Sequence, residues 1–404
     1  MKIFYFTKLT WKYIIFLLFF VFSFLQNFII RWISMNSKDI AQPFLNTYLF
    51  VVSDYLAIIP YLIVIIRSKH IKSENIELKK VDKRLIHNQG TKKSKNFIWL
   101  ILSLTLFDFL SHISSLMFYI IYGKNDRSVS ENNLSSLLIF NTFTIYLFTK
   151  WILKTDFYKH HYFSILINIF CVLILGTLDI INIIRSDNDN ETDMIIFYIF
   201  KKISSIIFYS IEDVIGKKIL MEEFISIYEL LLYRGFFETL LDILFTMPFF
   251  FIEVTDKSTG VDETGIIFSR IKNLFDKLNT FKIVLFVTTN LFYNIFIWLI
   301  IDQFSPIHYA ISNILDSCGT LIRLWITEPE NIDLPILRIF IYLILIFGSL
   351  IHTEIIVINY WDLQRNTKIF LEEKESEDFS LINYRISDNN ENLNTSIDSL
   401  DQSF

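Results

Sequence analysis

Four pairs of ionisable residues stand where the sequence is otherwise apolar: Asp108 with His112, Lys201 with Lys202, Arg234 with Glu238, and Asp316 with Arg323. Each pair falls inside a run of about twenty hydrophobic residues, the length that crosses a bilayer core. On an insertion scale a central Arg, Lys or Asp opposes membrane entry by roughly 2.5–3.5 kcal/mol, whereas each Leu, Ile or Phe favours it by roughly 0.3–0.6 kcal/mol. Such groups are retained where they face protein or water, and there they bind solutes or ions, relay protons, or fix helices by ion pairs.

The spacing narrows the chemistry. Arg234 and Glu238 are four apart on one helical face, so they can pair with each other or line a wet cavity. Asp108 and His112 have the same spacing; the carboxylate can hold the imidazole, as a proton relay in one reading and a structural polar contact in the other. Lys201 and Lys202 lie about seven residues from the end of their run, roughly 10 Å along a helix. Their stems can snorkel to the interface, or one ammonium can meet an anionic group of a solute. Ser205 and Tyr209 at +3 and +7 give Lys202 a polar stripe and favour it for the second role. His308, Ser312, Asp316 and Arg323 recur at helical spacing and give their segment one polar side, suited to a solute or ion pathway or to helix packing.

The elements that must position these residues are helices, because the apolar segments are continuous rather than alternating. Hydropathy and length mark spans near 13–30, 44–66, 97–122, 134–153, 162–184, 194–215, 225–251, 281–301, 306–326 and 334–357. The composition agrees: 53% of the 404 residues are hydrophobic and 42 are Phe, against 20% charged. The expectation is an all-α polytopic membrane protein of about ten transmembrane helices. The first segment follows Lys2, Lys8 and Lys12 as a signal sequence does, but it is long, with no small-residue cleavage site after it, and is read as a retained span.

The loop after the second span holds Arg67, Lys69, Lys72, Lys79, Lys80, Lys83, Arg84, Lys92, Lys93 and Lys95, which marks it as cytosolic and puts both termini in the cytosol. Sequons at Asn133 and Asn190 then fall on the opposite side. Basic residues between the seventh and eighth spans run against this scheme, offset there by acids. In that loop Ile266, Ile267, Ile271, Leu274, Phe275 and Leu278 suit either a surface helix or a polar connector. Residues 358–404 are acidic and rich in Asn and Ser, and are expected to form a disordered cytosolic tail.

The net charge of −5 resides largely in that tail, and no basic domain for nucleic acid is present. Cys171 and Cys318 lie far apart within apolar spans and suggest neither a disulfide framework nor a Cys-based zinc site. The sequence lacks H-E-x-x-H, G-x-S-x-G and a Walker loop, so no enzyme, metal or cofactor is expected.

Three stretches carry a family resemblance. IFNTFTIYLFTKWILKTDFYKHHYFSILINIFCVLIL (Ile139 to Leu175) resembles the place in drug/metabolite transporters where one span ends in a basic patch and the next begins almost at once. SSIIFYSIEDVIGKKILMEEFISIYELLLYRGFF (Ser204 to Phe237) resembles the sixth span, short connector and seventh span of that superfamily, and SPIHYAISNILDSCGTLIRLWI (Ser305 to Ile326) its ninth. The resemblance, to EamA-like and nucleotide-sugar-transporter-like carriers, implies two inverted five-helix repeats, residues 13–184 and 194–357, around a central solute site worked by alternating access. The chain has only 6 Pro and 9 Gly, fewer than is usual for that superfamily. On this reading the partners are a lipid bilayer and a small polar solute, including an anionic one such as a nucleotide sugar, and no ATP is required. Lys202, Tyr209, Arg234, Glu238, Asp316 and Arg323 are the substrate-binding candidates, and Asp108 and His112 the proton-coupling ones. A non-transporting membrane scaffold or receptor is the alternative, and an intramembrane enzyme comes third.

Overall fold

A computed structural model of the protein describes residues 2–34, 42–74, 96–122, 140–155, 157–186, 192–223, 225–251, 253–256, 263–266, 269, 271–273, 275, 279–313 and 335–352. Asp316, Arg323, Cys318, the sequon asparagines Asn133 and Asn190, and the C-terminal tail lie outside the described residues. Ten α-helices are assigned there: α1 (Lys2–Ser34), α2 (Gln42–Tyr55), α3 (Ile58–Glu74), α4 (Phe97–Tyr122), α5 (Phe140–Ile152), α6 (Lys159–Ser186), α7 (Thr192–Glu222), α8 (Ile227–Phe245), α9 (Thr280–Gln303) and α10 (Pro335–His352). Residues 306–313 form a further helical stretch.

This is a helical protein of membrane type. Among the described residues, Leu45–Arg67, Phe97–Ser114, Lys159–Leu178 and Thr280–Gln303 are long and apolar enough to cross a bilayer. Large apolar side chains stand on the outside, as lipid requires: Leu244 is 68% exposed and Trp99 71%. α8 is apolar outward and polar inward, with Phe236, Leu240 and Ile243 exposed while Glu238 and Asp242 are buried.

One span expected to be continuous is broken. Residues 44–66 divide into α2 and α3 at Leu56–Ala57. Pro60 has no N–H to give to the carbonyl of Leu56, which instead accepts from Ile59 at 3.0 Å, a tighter turn that interrupts the ladder. Between α8 and α9 a 3-10 turn (Met247–Phe251) leads to an antiparallel hairpin, β1 (Glu253–Asp256) on β2 (Glu263–Ile266), with Glu253 opposite Ile266. The apolar spacing in this loop points to a helix or a plain connector, and neither includes strands; Ser269, Ile271–Asn273 and Phe275 are helical.

By internal packing the chain divides into two units, Met1–Thr155 with Asn168–Ile346, and Asp156–Ile167 with Phe347–Phe404. In the first, α4 packs along α7, α5 also lies on α7, α1 lies on α9, and α8 contacts α2, α4 and α9. Its core joins Ile101 and Leu104 of α4, Ile215 and Ile219 of α7, Leu230 and Leu231 of α8, and Leu291 and Trp298 of α9. Two close approaches depend on glycine. A methyl group on Gly216 would run into the Trp298 ring and lie 3.2 Å from Leu104 Cδ1. One on Gly235 would lie 3.1 Å from Asp54 Cβ. In the second unit, Ser164 Oγ donates to the Gly348 carbonyl at 2.6 Å, and the ring centroids of His160 and His352 lie 4.0 and 4.5 Å from that of His161.

Candidate functional site: a charged cavity within the bundle

α8 begins with a serine N-cap. Ser226 accepts the N–H of Glu229 at 3.1 Å, which fixes the register of the helix that follows. Leu231, Gly235, Glu238 and Asp242 then recur at +4, +3 and +4 on the buried face. Gly235 lets α2 come close enough for Asp54 to reach Arg234, one residue back on the same helix.

The Arg234 guanidinium is held from three helices. Nε and Nη2 lie 2.7 Å from Asp54 Oδ2 of α2, Nη1 lies 3.1 Å from Glu212 Oε1 of α7, and Nε lies 3.8 Å from Asp108 Oδ2 of α4. The other oxygen of Asp54 accepts from Asn294 Nδ2 of α9 at 2.9 Å. Beside this knot a polar chain runs between helices: Gln26 donates to Asn290 Oδ1 at 2.6 Å, and Asn290 donates to Ser53 Oγ. On α5, Asn141 accepts from Ser210 Oγ at 2.7 Å, and Ser210 is also bonded to Thr144.

His112 is the second focus. Its Nδ1 lies 3.2 Å from Glu238 Oε1, while Nε2 lies 3.9 Å from Asp108 Oδ1. Its ring lies parallel to that of Phe50 and edge-on to Tyr209, with centroids 6.3 and 6.4 Å away.

These groups surround a cavity of about 370 Å³ within the first unit. α1, α2, α4, α5, α7, α8, α9 and the 306–313 stretch all contribute to its wall. Four carboxylates line it, Asp108, Glu212, Asp213 and Glu238, against the Arg234 guanidinium and the His112 imidazole. Asn141, Asn290, Asn294 and Asn313 add neutral donors and acceptors, and Tyr209, Tyr293, Tyr309 and Trp298 add aromatic faces. Asp213 is 6% exposed, and its Oδ2 has no hydrogen-bond donor.

Four of the residues expected from sequence therefore come together with Tyr209: Asp108, His112, Arg234 and Glu238. Arg234 and Glu238 line the cavity rather than pair, and Asp108 and His112 stand together as their spacing allows, but the nearest partners come from other helices. Arg234 turns to Asp54 and Glu212 rather than to Glu238, because both carboxylates lie directly against its guanidinium. Glu238, freed from Arg234, meets His112 more closely than Asp108 does. Lys202 is half-buried and does not line the cavity, while its neighbour Lys201 is 4% exposed. His308 is engaged at its own helix start, where Nδ1 lies 2.8 Å from Ser305 Oγ.

Asp54, Glu212, Asp213, Asn290 and Asn294 complete the site and were not singled out by sequence. Asp54 meets the criterion applied to the others, a charge midway along an apolar segment. Asn290 and Asn294, four apart in a segment that is otherwise almost wholly apolar, carry the same signal in neutral form.

No family model matches the chain, and no curated protein matches it. One solved structure, described as "Crystal structure of protein", aligns over 85% of this chain and 99% of its own at 12% identity and a TM-score of 0.39, a likeness too slight to bear on fold or function.

Proposed function

We propose that the protein is a secondary transporter of a small polar solute, working by alternating access around the cavity enclosed by α1, α2, α4, α7, α8 and α9. The observation that carries this reading is a polar hollow inside a bundle whose outer faces are apolar. Lipid-embedded helices bury ionisable groups at a cost, and a water-accessible pathway is the common reason to keep them. A volume of about 370 Å³ is at the lower end of the range for small-molecule sites.

On this reading the chain has ten crossing helices in two inverted halves, with both termini in the cytosol. The broken α2–α3 segment at the wall is in keeping with the discontinuous helices of such carriers. The solute bears a positive charge. Carboxylates outnumber cations on the wall, and the one guanidinium is already satisfied by Asp54 and Glu212. An anion would have to displace those partners, whereas an amine meets the Asp213 oxygen that lacks a donor. Aromatic faces at Tyr209, Tyr293 and Trp298 also suit a cation.

The test is accumulation of radiolabelled amines and amino acids, with nucleotide sugars and sugar phosphates alongside, in vesicles holding the purified full chain. Uptake of a cationic or zwitterionic solute, reduced at least tenfold in Asp213→Asn, supports the reading; uptake confined to anions overturns its charge assignment. Absence of uptake across the panel, with the protein folded and inserted, overturns the carrier reading in favour of a membrane scaffold. The closed pairing of Arg234 with Asp54 and Glu212 is the feature that favours that second reading.

A further inference from the structure

We propose that Asp108, His112 and Glu238 form a binding site for a divalent first-row transition-metal ion. One donor atom from each of the three lies within 4.8 Å of the other two, and all three residues line the cavity wall. With metal–ligand bonds of about 2.0–2.2 Å, two donors on one ion stand about 3–3.5 Å apart. The 3.2 Å between His112 Nδ1 and Glu238 Oε1 already falls in that range. The ion takes the place of the proton between those two atoms, and Asp108, from the same cluster of donors within 4.8 Å of one another, moves closer to complete the third contact. Remaining positions are open to water or to a solute in the cavity.

The local charge also calls for a cation. Asp242 stands one turn beyond Glu238 on the same buried face of α8, is 2% exposed, and has an Oδ2 without a donor. Asp213 Oδ2, on the wall of the same cavity, is equally without a donor. A buried carboxylate oxygen without a donor is disfavoured, and Asp213 and Asp242 each carry one in a region already crowded with acids. Arg234 cannot serve them all, since Asp54 and Glu212 hold it. A monovalent organic cation answers this demand only in part. A divalent ion contributes twice the charge at one point, and an imidazole between two carboxylates selects a transition metal such as Mn²⁺, Fe²⁺, Co²⁺ or Zn²⁺ over Mg²⁺ or Ca²⁺.

The site does not depend on the carrier reading, because binding is measured without transport. Full-length protein lacking a polyhistidine tag is purified in detergent, stripped with chelator, and titrated with Co²⁺ while visible d–d absorption is followed; Zn²⁺ is then added in competition. Saturable binding of one equivalent is expected, displaced by Zn²⁺. His112→Asn and Glu238→Gln should each weaken it about tenfold or more, the size of loss seen even for outer-shell changes at metal sites. His161→Asn, which alters the separate histidine group of the second unit, should leave it unchanged. Thermal melts of the same variants report whether they fold, and Glu238→Gln, being nearly isosteric, keeps the test open if His112→Asn does not. Binding that is absent from folded wild-type protein, that is equal in wild type and Glu238→Gln, or that disappears in His161→Asn overturns the proposal.

Discussion

A guanidinium held by carboxylates from three helices makes Arg234 the most consequential residue in the bundle. Removing one partner of a buried ion pair leaves the others uncompensated, at a cost of about 3–5 kcal/mol. Arg234→Ala is therefore expected to lower the melting temperature of the detergent-solubilised protein sharply. Arg234→Lys should recover little of the loss, because a single ammonium cannot reach Asp54 and Glu212 with the geometry of the fork. The neutral chain from Gln26 through Asn290 to Ser53 is worth less. Asn290→Ala removes the acceptor of the buried Gln26 amide, while Ser53 keeps its bond to the Phe50 carbonyl, and a loss of about 1–3 kcal/mol in the same melt is expected. The charges at membrane depth were readable as a class. Their pairing was not, since spacing along one helix reports only partners on that helix. Thus the rule that joined Arg234 to Glu238 had no access to Asp54, 180 residues away in sequence.

At the scale of elements, close helix contact rests on residues with little or no side chain. A Cβ at Gly216 meets the Trp298 ring, so Gly216→Ala is expected to cost about 1–3 kcal/mol by overpacking. Adding Trp298→Leu to the same chain should return part of that loss, a non-additivity that a double-mutant cycle of melting measurements would register. The cap at Ser226 offers a milder test: Ser226→Ala should destabilise by about 1 kcal/mol, read in the same way. Several element bounds were legible. The run from Phe97 to Tyr122 is apolar apart from Asp108, His112 and a few hydroxyl residues, and it forms α4 over those same residues. The break between α2 and α3 was less so, because hydropathy averages over about twenty residues and does not register one missing N–H at Pro60. The hairpin after α8 escaped for a related reason, as four-residue strands carry too little periodicity to compete with the apolar spacing that follows them.

For the molecule as a whole, the contrast between an apolar exterior and a polar hollow makes a direct prediction about access to water. Single cysteines placed at Asp213 and at Leu244, in a chain whose Cys318 is replaced by Ser, should differ in labelling by a membrane-impermeant thiol reagent in intact membranes. The first faces the cavity, the second the outside of α8, and only the first is expected to react. Native Cys171 is 1% exposed and should contribute little background. The chain order of the Arg234 knot bears on how the bundle is made. All three carboxylates that clasp the guanidinium, at 54, 108 and 212, emerge from the ribosome before it does. Until α8 is synthesised, the nascent chain holds those acids in the membrane without their common cation. Its late arrival should act as the latch that commits the earlier helices to one another, and a chain interrupted before residue 234 should remain a loose, protease-sensitive assembly.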